Sequence, residues 1–244
     1  MCLKIKTGCS GFYNKHWKGI FYPEKLASKD WFTHYAQQLP TLELNNTFYQ
    51  FPTEARLKTW YNKCPDDFVF SVKAHKSITH SHRFKNCEAQ VNDFYDVCEK
   101  GLKDKLACVL FQLPPSIQYS DEKLEEILSY MKQGFKNVIE FRHQTWWNKK
   151  VYDRLAASDI TFVSVNHPKL ATDLITNTTT AYVRLHGNPD MFYSNYETEM
   201  LKDLHQQIED SKQLKEAFVY FNNTAGDAGI LNAVEFQAMN KNII

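Results

Sequence analysis

Tyr182-Val183-Arg184-Leu185-His186 sets an arginine and a histidine two residues apart inside an apolar run. A strand repeats its face every two residues, so Arg184 and His186 project to one side and Val183 and Leu185 to the other. The same design recurs upstream in Leu42-Glu43-Leu44-Asn45, in Phe70-Ser71-Val72-Lys73-Ala74-His75 and in Val138-Ile139-Glu140-Phe141-Arg142. Burying such charge is costly unless it is paired or put to use. Four strands that carry it at the same end point to one shared site.

Outward from these four segments, further apolar runs complete a set of eight predicted strands: 4–9, 41–46, 68–74, 107–113, 137–142, 160–166, 180–186 and 216–222. Most are short and continuously apolar, as strands covered on both faces are. Helical patterns fill the gaps. Residues 28–39 put Trp31, Phe32, Tyr35 and Leu39 on one stripe behind Ser28 as cap. A helix over 54–64 follows Thr53. The patterns over 88–100 and 121–133 stop at Gly101 and Gly134, which read as C-caps. Further helices are expected at 147–158, 198–211 and 228–241, and only a helical turn or two over 168–175. Strand and helix repeated eight times close naturally into a TIM-like (β/α)8 barrel of the α/β class, with a short or irregular connection between strands six and seven. An open doubly wound sheet is the rival. With no Pro/Gly/Ser-rich linker, the chain reads as one domain over 1–244.

Composition narrows the function. The 244 residues carry 29 basic and 28 acidic side chains, a net charge of +1, with no polybasic block. A protein that wraps nucleic acid shows a basic footprint, so the balance argues against nucleic acid as a partner. The chain opens into a strand rather than an apolar leader, and no run approaches the length of a membrane span. These features predict a cytoplasmic protein. The six cysteines form no C-x-x-C pair and read as reduced core thiols.

Thr7-Gly8-Cys9-Ser10-Gly11-Phe12, followed by Trp17, Gly19 and Phe21-Tyr22-Pro23, resembles the opening of the DUF72 (YecE-like) family. Glu43-Leu44-Asn45-Asn46-Thr47-Phe48-Tyr49, Phe111-Gln112-Leu113-Pro114, Glu140-Phe141-Arg142-His143 with Trp146, Tyr182 through Gly187, and Tyr220-Phe221-Asn222-Asn223 are similar to later blocks of that family, in its order. The resemblance implies a single TIM-like barrel and carries over no settled chemistry. Members often have Thr at Cys9, Trp at Phe12 and Asp at Asn166, and Asn166 weakens an acidic metal cage.

Barrels of this type work at the C-terminal ends of their strands. Glu43 and Asn45 from strand two, Lys73 and His75 from strand three, Gln112 from strand four, Glu140 and Arg142 from strand five, Arg184 and His186 from strand seven and Asn222 from strand eight are expected there. Glu43, Lys73, His75, Glu140 and His186 are the candidate catalytic residues. The carboxylates could move a proton or serve only as ion partners; Lys73 could stabilise charge or act as an amine nucleophile. Arg142 and Arg184 suit a planar oxyanion. Asn222, Asn223, Gly226 and Gly229 belong to the loop entering the last helix, where barrels often hold phosphate, or form an ordinary turn capped by Asp227. Of the aromatic residues near the mouth, Tyr49 and Trp146 are the better ligand candidates. His80 and His82 read as solvated loop residues, with His80 able to fold over the mouth.

Three cationic side chains against two carboxylates predict a pocket that attracts a small anion, phosphorylated or carboxylated, with hydrolysis, isomerisation or lyase chemistry all open. No cofactor is called for. The alternatives are a divalent metal held by Glu43, Glu140, His75 and His186 for phosphodiester or sugar chemistry, and a non-enzymatic ligand- or partner-binding protein. The sequence leaves the oligomeric state open.

Overall fold

In the computed structural model, which describes residues 3–240, eight parallel strands close on themselves in chain order. They are β1 (Lys4–Cys9), β2 (Thr41–Leu44), β3 (Val69–Lys73), β4 (Leu106–Gln112), β5 (Asn137–Glu140), β6 (Thr161–Asn166), β7 (Thr180–Leu185) and β8 (Glu216–Phe221). Closure is tight at the seam, where β1 pairs with β8 from Lys4↔Glu216 through Cys9↔Phe221. Around the barrel run α1 (Trp31–Gln38), the single turn α2 (Asn46–Tyr49), α3 (Glu54–Tyr61), α4 (Glu88–Leu102), α5 (Asp121–Ser129), α6 (Lys149–Ala156), α7 (Thr198–Asp210) and α8 (Ala228–Met239). The fold is therefore the eight-unit TIM-like barrel rather than an open sheet.

The strand period splits the core in two. Outward-facing Leu42, Phe70, Val72, Phe111, Ile139, Phe162 and Val183 pack beneath the helices in the larger apolar layer. Inward-facing Cys108, Leu110, Val138, Val163, Tyr182, Phe218 and Tyr220 fill the lumen. Tyr220 is anchored there by its hydroxyl, 2.6 Å from Thr41 Oγ1 and 2.9 Å from Ser71 Oγ. Above this apolar plug, toward the C-terminal ends, the lumen turns polar. Gly8 lets β1 and β2 approach: a Cβ there would lie 2.1 Å from the Thr41 carbonyl oxygen.

Local chemistry sets the helix ends. Thr53, Ser120 and Asn148 accept from the backbone N–H three residues on, capping α3, α5 and α6. Ser28 is not the cap expected; Ser28–Asp30 form a 3-10 turn ahead of α1. Gly101 does not end its helix either. It lies inside α4, where a Cβ would meet Leu57 at 2.5 Å, so it serves the packing of α3 on α4, and Lys103 takes the left-handed turn (φ 49°). α5 stops at Ser129, before Gly134 (φ 84°) in the turn into β5. Between β6 and β7, described residues 167–179 contain no helix, only a turn in which Leu170 N donates to His167 O. Cys9, Cys87, Cys98 and Cys108 are buried, Cys64 is half-buried, and all five are free thiols; Cys2 lies outside the described residues. Among those residues no helix is long and apolar enough to cross a membrane.

Candidate functional site

Four of the strand-end residues singled out by their two-residue spacing meet in the upper lumen around one guanidinium. Arg184 on β7 donates from Nε to both oxygens of Glu43 on β2 (2.9 and 3.2 Å) and from Nη2 to Glu43 Oε1 (2.7 Å). Its Nη1 donates to Glu140 Oε2 on β5. The remaining lone pairs are also used. Ser10 Oγ and Tyr182 Oη each donate to Glu43 at 2.7 Å. Gln112 Nε2 donates to Glu140 Oε1 at 2.8 Å, and Arg142 Nε donates to the same oxygen. Glu43 and Glu140 are fully buried, and Arg184 is 1% exposed.

The network has two chemical faces. Burial pushes the Glu43 carboxyl up, but Arg184 with the hydroxyls of Ser10 and Tyr182 more than offsets it and holds it below the ordinary carboxylate value. Burial likewise opposes ionisation of Glu140, and Arg142, Arg184 and His186 overcome it by a wide margin. Both carboxylates are thus poor proton acceptors. The other face is basic. Lys73 on β3, 8% exposed, donates its amine to Gln112 Oε1 at 2.7 Å and lies 4.2 Å above the Phe48 ring. Burial, reinforced by the Arg184 charge and opposed by the two glutamates, brings its pKa down to about 7. Arg142, just past β5, keeps 15% of its side chain exposed.

His186 closes the cluster from below the surface. Its Nδ1 lies 2.7 Å from Asn222 Nδ2, and its Nε2 lies 3.4 Å from Glu140 Oε1 and 3.3 Å from Arg142 Nη2. Burial lowers its pKa to about 4, so the imidazole is neutral. Two further imidazoles reach this face from loops. His80, in a π-helical turn after β3, packs on Phe48 at 4.9 Å; burial and then the charge of Lys73 lower it to about 4. His167, after β6, packs edge-on to His186 at 5.8 Å and is lowered by burial and by Arg142. His167 was not foreseen from sequence: it follows the last residue of its strand and belongs to no alternating pattern.

Other candidates stand apart from the cluster. β3 ends at Lys73, so His75 leaves the strand direction; its Nδ1 pairs with Ser77 and its ring packs on Phe51 at 5.6 Å. Trp146 is fully buried, stacked on Phe141 at 4.1 Å with Nε1 donating to Ile117 O, and fills the space between barrel and loop. Tyr49 is 69% exposed and packs on Phe48. Asn45 Nδ2 ties β2 to β1 through Ser10 O. In the last loop, Asn223 is fully buried against Ser194 O and Asn232, Gly229 lets the backbone approach Asn223 O, and the Gly226 carbonyl accepts from Asn14 and Trp17. These residues build the loop; Asp227 makes no side-chain cap bond to α8.

The donor set does not suit a metal ion. Guanidinium groups occupy the positions beside Glu43 and Glu140 that a cation would take, His75 points elsewhere, and among the described residues no three His, Cys, Asp or Glu side chains converge as ligands.

Comparison with known proteins agrees with this architecture. The family model "Protein of unknown function DUF72" matches residues 6–242. The chain is 25% identical to the UPF0759 protein YunF of Bacillus subtilis over 84% of each chain. Among solved structures, a DUF72 family protein from Thermotoga maritima superposes with a TM-score of 0.88 at 30% identity, covering 98% of this chain and 99% of the other. One from Enterococcus faecalis gives 0.83 at 20% identity, covering 97% and 95%.

Proposed function

The chain belongs to the DUF72 family, and we propose that it is an enzyme acting on a small anionic metabolite, phosphorylated or carboxylated, by acid/base chemistry at the C-terminal mouth of the barrel. One observation carries this reading: Arg184 bridges both buried carboxylates and Arg142 adds the second positive charge at Glu140, so that the Lys73 amine, with no carboxylate partner among the described residues, is the surplus basic group beside a partly exposed Arg142. A partly exposed guanidinium over a low-dielectric floor is a strong anion partner. His80 and His167, both lowered below the ordinary histidine value, flank that face as neutral imidazoles; Lys73, with a pKa of about 7, can accept or return a proton near neutrality. Glu43 and Glu140, with depressed pKa values and no exposed surface, fit the role of holding the cations in place better than that of a general base.

Calorimetric titration with inorganic phosphate and with small carboxylates tests the anion site. Loss of one charge-assisted hydrogen-bonding group typically costs about 1.5–3 kcal/mol, so Arg142→Gln should weaken binding by about 10- to 100-fold. Unchanged affinity would remove Arg142 from the site. Turnover in a screen of phosphorylated and carboxylated metabolites supports the enzymatic reading; saturable binding without turnover on any of them would instead make the protein a binder.

A further inference from the structure

We propose that Lys73 is a covalent nucleophile, whose amine adds to the carbonyl carbon of a small anionic aldehyde or ketone held by Arg142 and forms an imine with it. The inference rests on the anion-binding reading above and names the substrate class within it: an anion that also carries a carbonyl.

The surroundings of the amine carry the argument. A buried lysine normally has a carboxylate partner, yet among the described residues none lies within ion-pair distance of Lys73; its one hydrogen-bond partner is Gln112 Oε1. Lys105 shows how this fold buries a lysine for structure alone. Its Nζ donates to the carbonyl oxygens of Tyr61, Cys64 and Pro65, at 3.3, 3.2 and 2.9 Å. Lys73 lacks that saturation. The Gln112 amide is held in one orientation because its Nε2 is committed to Glu140. Its oxygen therefore faces the amine, and a neutral amine can donate one N–H to it while keeping its lone pair free. A glutamate at 112 would instead hold Lys73 charged.

Arg142 completes the arrangement. Nε is bound to Glu140 and Nη2 lies near His186, while Nη1 makes no hydrogen bond among the described residues and can take an oxyanion. The groups that set the charge of Lys73 are Arg184 from β7, Glu140 from β5, Arg142 just past it, Glu43 from β2 and, by its own coupling to Lys73, His80 from the turn after β3. Their balance with burial leaves about half of the amine neutral near pH 7, roughly 1,000 times the neutral fraction of an ordinary lysine. In the reaction the lone pair attacks the carbonyl carbon and the carbonyl π pair moves to oxygen, which takes up the proton released by nitrogen. The resulting carbinolamine loses water, giving the imine; one amine and one carbonyl are consumed, and one imine and one water are formed.

The test uses the intact protein with glyoxylate, the smallest anionic aldehyde, and sodium cyanoborohydride. The reductant delivers hydride to the protonated imine carbon and fixes a carboxymethyl group on the lysine. Peptide mapping should find Lys73 modified at least about tenfold faster than the surface lysines at pH 7, with a midpoint near pH 7 rather than near the ordinary lysine value. Lys73→Arg should remove the label from that peptide. Gln112→Glu should move the midpoint upward and suppress labelling at neutral pH, which a merely accessible lysine would not do. Labelling of Lys73 no faster than the surface lysines, or only in alkaline solution, overturns the proposal. Calorimetry with glyoxylate in the absence of reductant separates the two readings. Binding without selective labelling sinks the nucleophile and leaves the anion site standing, whereas loss of both removes the anion site as well.

Discussion

Replacing Arg184 by methionine removes the cation that bridges the two lumen carboxylates. The side chain is 1% exposed, and its guanidinium is shared between Glu43 and Glu140, which have no exposed surface of their own. Methionine fills similar volume, so the cavity contribution is small and the loss is electrostatic: two buried carboxylates lose their common partner. Breaking a buried pair by removing one member destabilises by about 3–5 kcal/mol. For a chain of this size each kcal/mol lowers the melting temperature by about 2–4 °C, so Arg184→Met should melt about 6–20 °C below wild type at pH 7. Glu140 keeps Arg142, but Glu43 loses its one salt-bridge partner among the described residues and is then best accommodated protonated. Its folded pKa rises above the unfolded one, so the variant loses stability as pH rises past the unfolded carboxylate value and regains part of it in acid. Calorimetric melting of both proteins from pH 7 down to pH 5 should show the gap narrowing. Adding Glu43→Gln to the variant should recover much of the loss. A melting temperature within about 3 °C of wild type, or a gap that widens in acid, would refute the reasoning that Arg184 is the counter-ion on which the buried Glu43 depends.

Acid should also weaken the wild-type protein in a particular order. His186 and His80 have folded pKa values of about 4, below the ordinary histidine value, so their contribution is complete above about pH 6.5 and is lost as pH falls toward 4. Glu43 and Glu140 are depressed as well, and their contribution disappears only below the ordinary carboxylate range. Urea midpoints should therefore fall steadily from pH 7 to pH 4, and a flat profile would contradict neutral burial of the imidazoles. Gly8→Ala should cost about 1–3 kcal/mol or more, read as a lower urea midpoint, because the new methyl meets the Thr41 carbonyl at 2.1 Å and neither strand can move without disturbing the barrel seam. A midpoint equal to wild type would mean that β1 and β2 are not packed so closely.

The parts of this architecture that were legible in sequence are those governed by strand periodicity. Glu43, Lys73, Glu140 and Arg184 are separated by whole helices, yet each announces itself as a polar residue on an otherwise apolar strand, and the eight strand positions follow from the same pattern. Legibility fails where the strand does. His75 keeps the two-residue spacing from Lys73, but β3 has already ended and a π-helical turn follows, so spacing no longer fixes direction. Tyr49 and Trp146 illustrate the same limit for aromatic loop residues, one turned out to solvent and the other sealed against Phe141. His80 and His167 reach the mouth through loop geometry, which no periodicity encodes. The division of labour between Glu and Arg was equally hidden: composition gives a surplus of cations, but only the closed barrel reveals that Arg184 alone bridges two carboxylates.

That bridge has a consequence for how the protein comes into being. During synthesis, β1 through β5 emerge first, and with them both Glu43 and Glu140; their counter-ion is encoded some forty residues later, on β7. Until then Glu140 has Arg142 beside it, but Glu43 has no salt-bridge partner among the described residues. Burying Glu43 is therefore favourable only once β7 is in place. The polar centre in this way ties completion of the sheet to completion of the site.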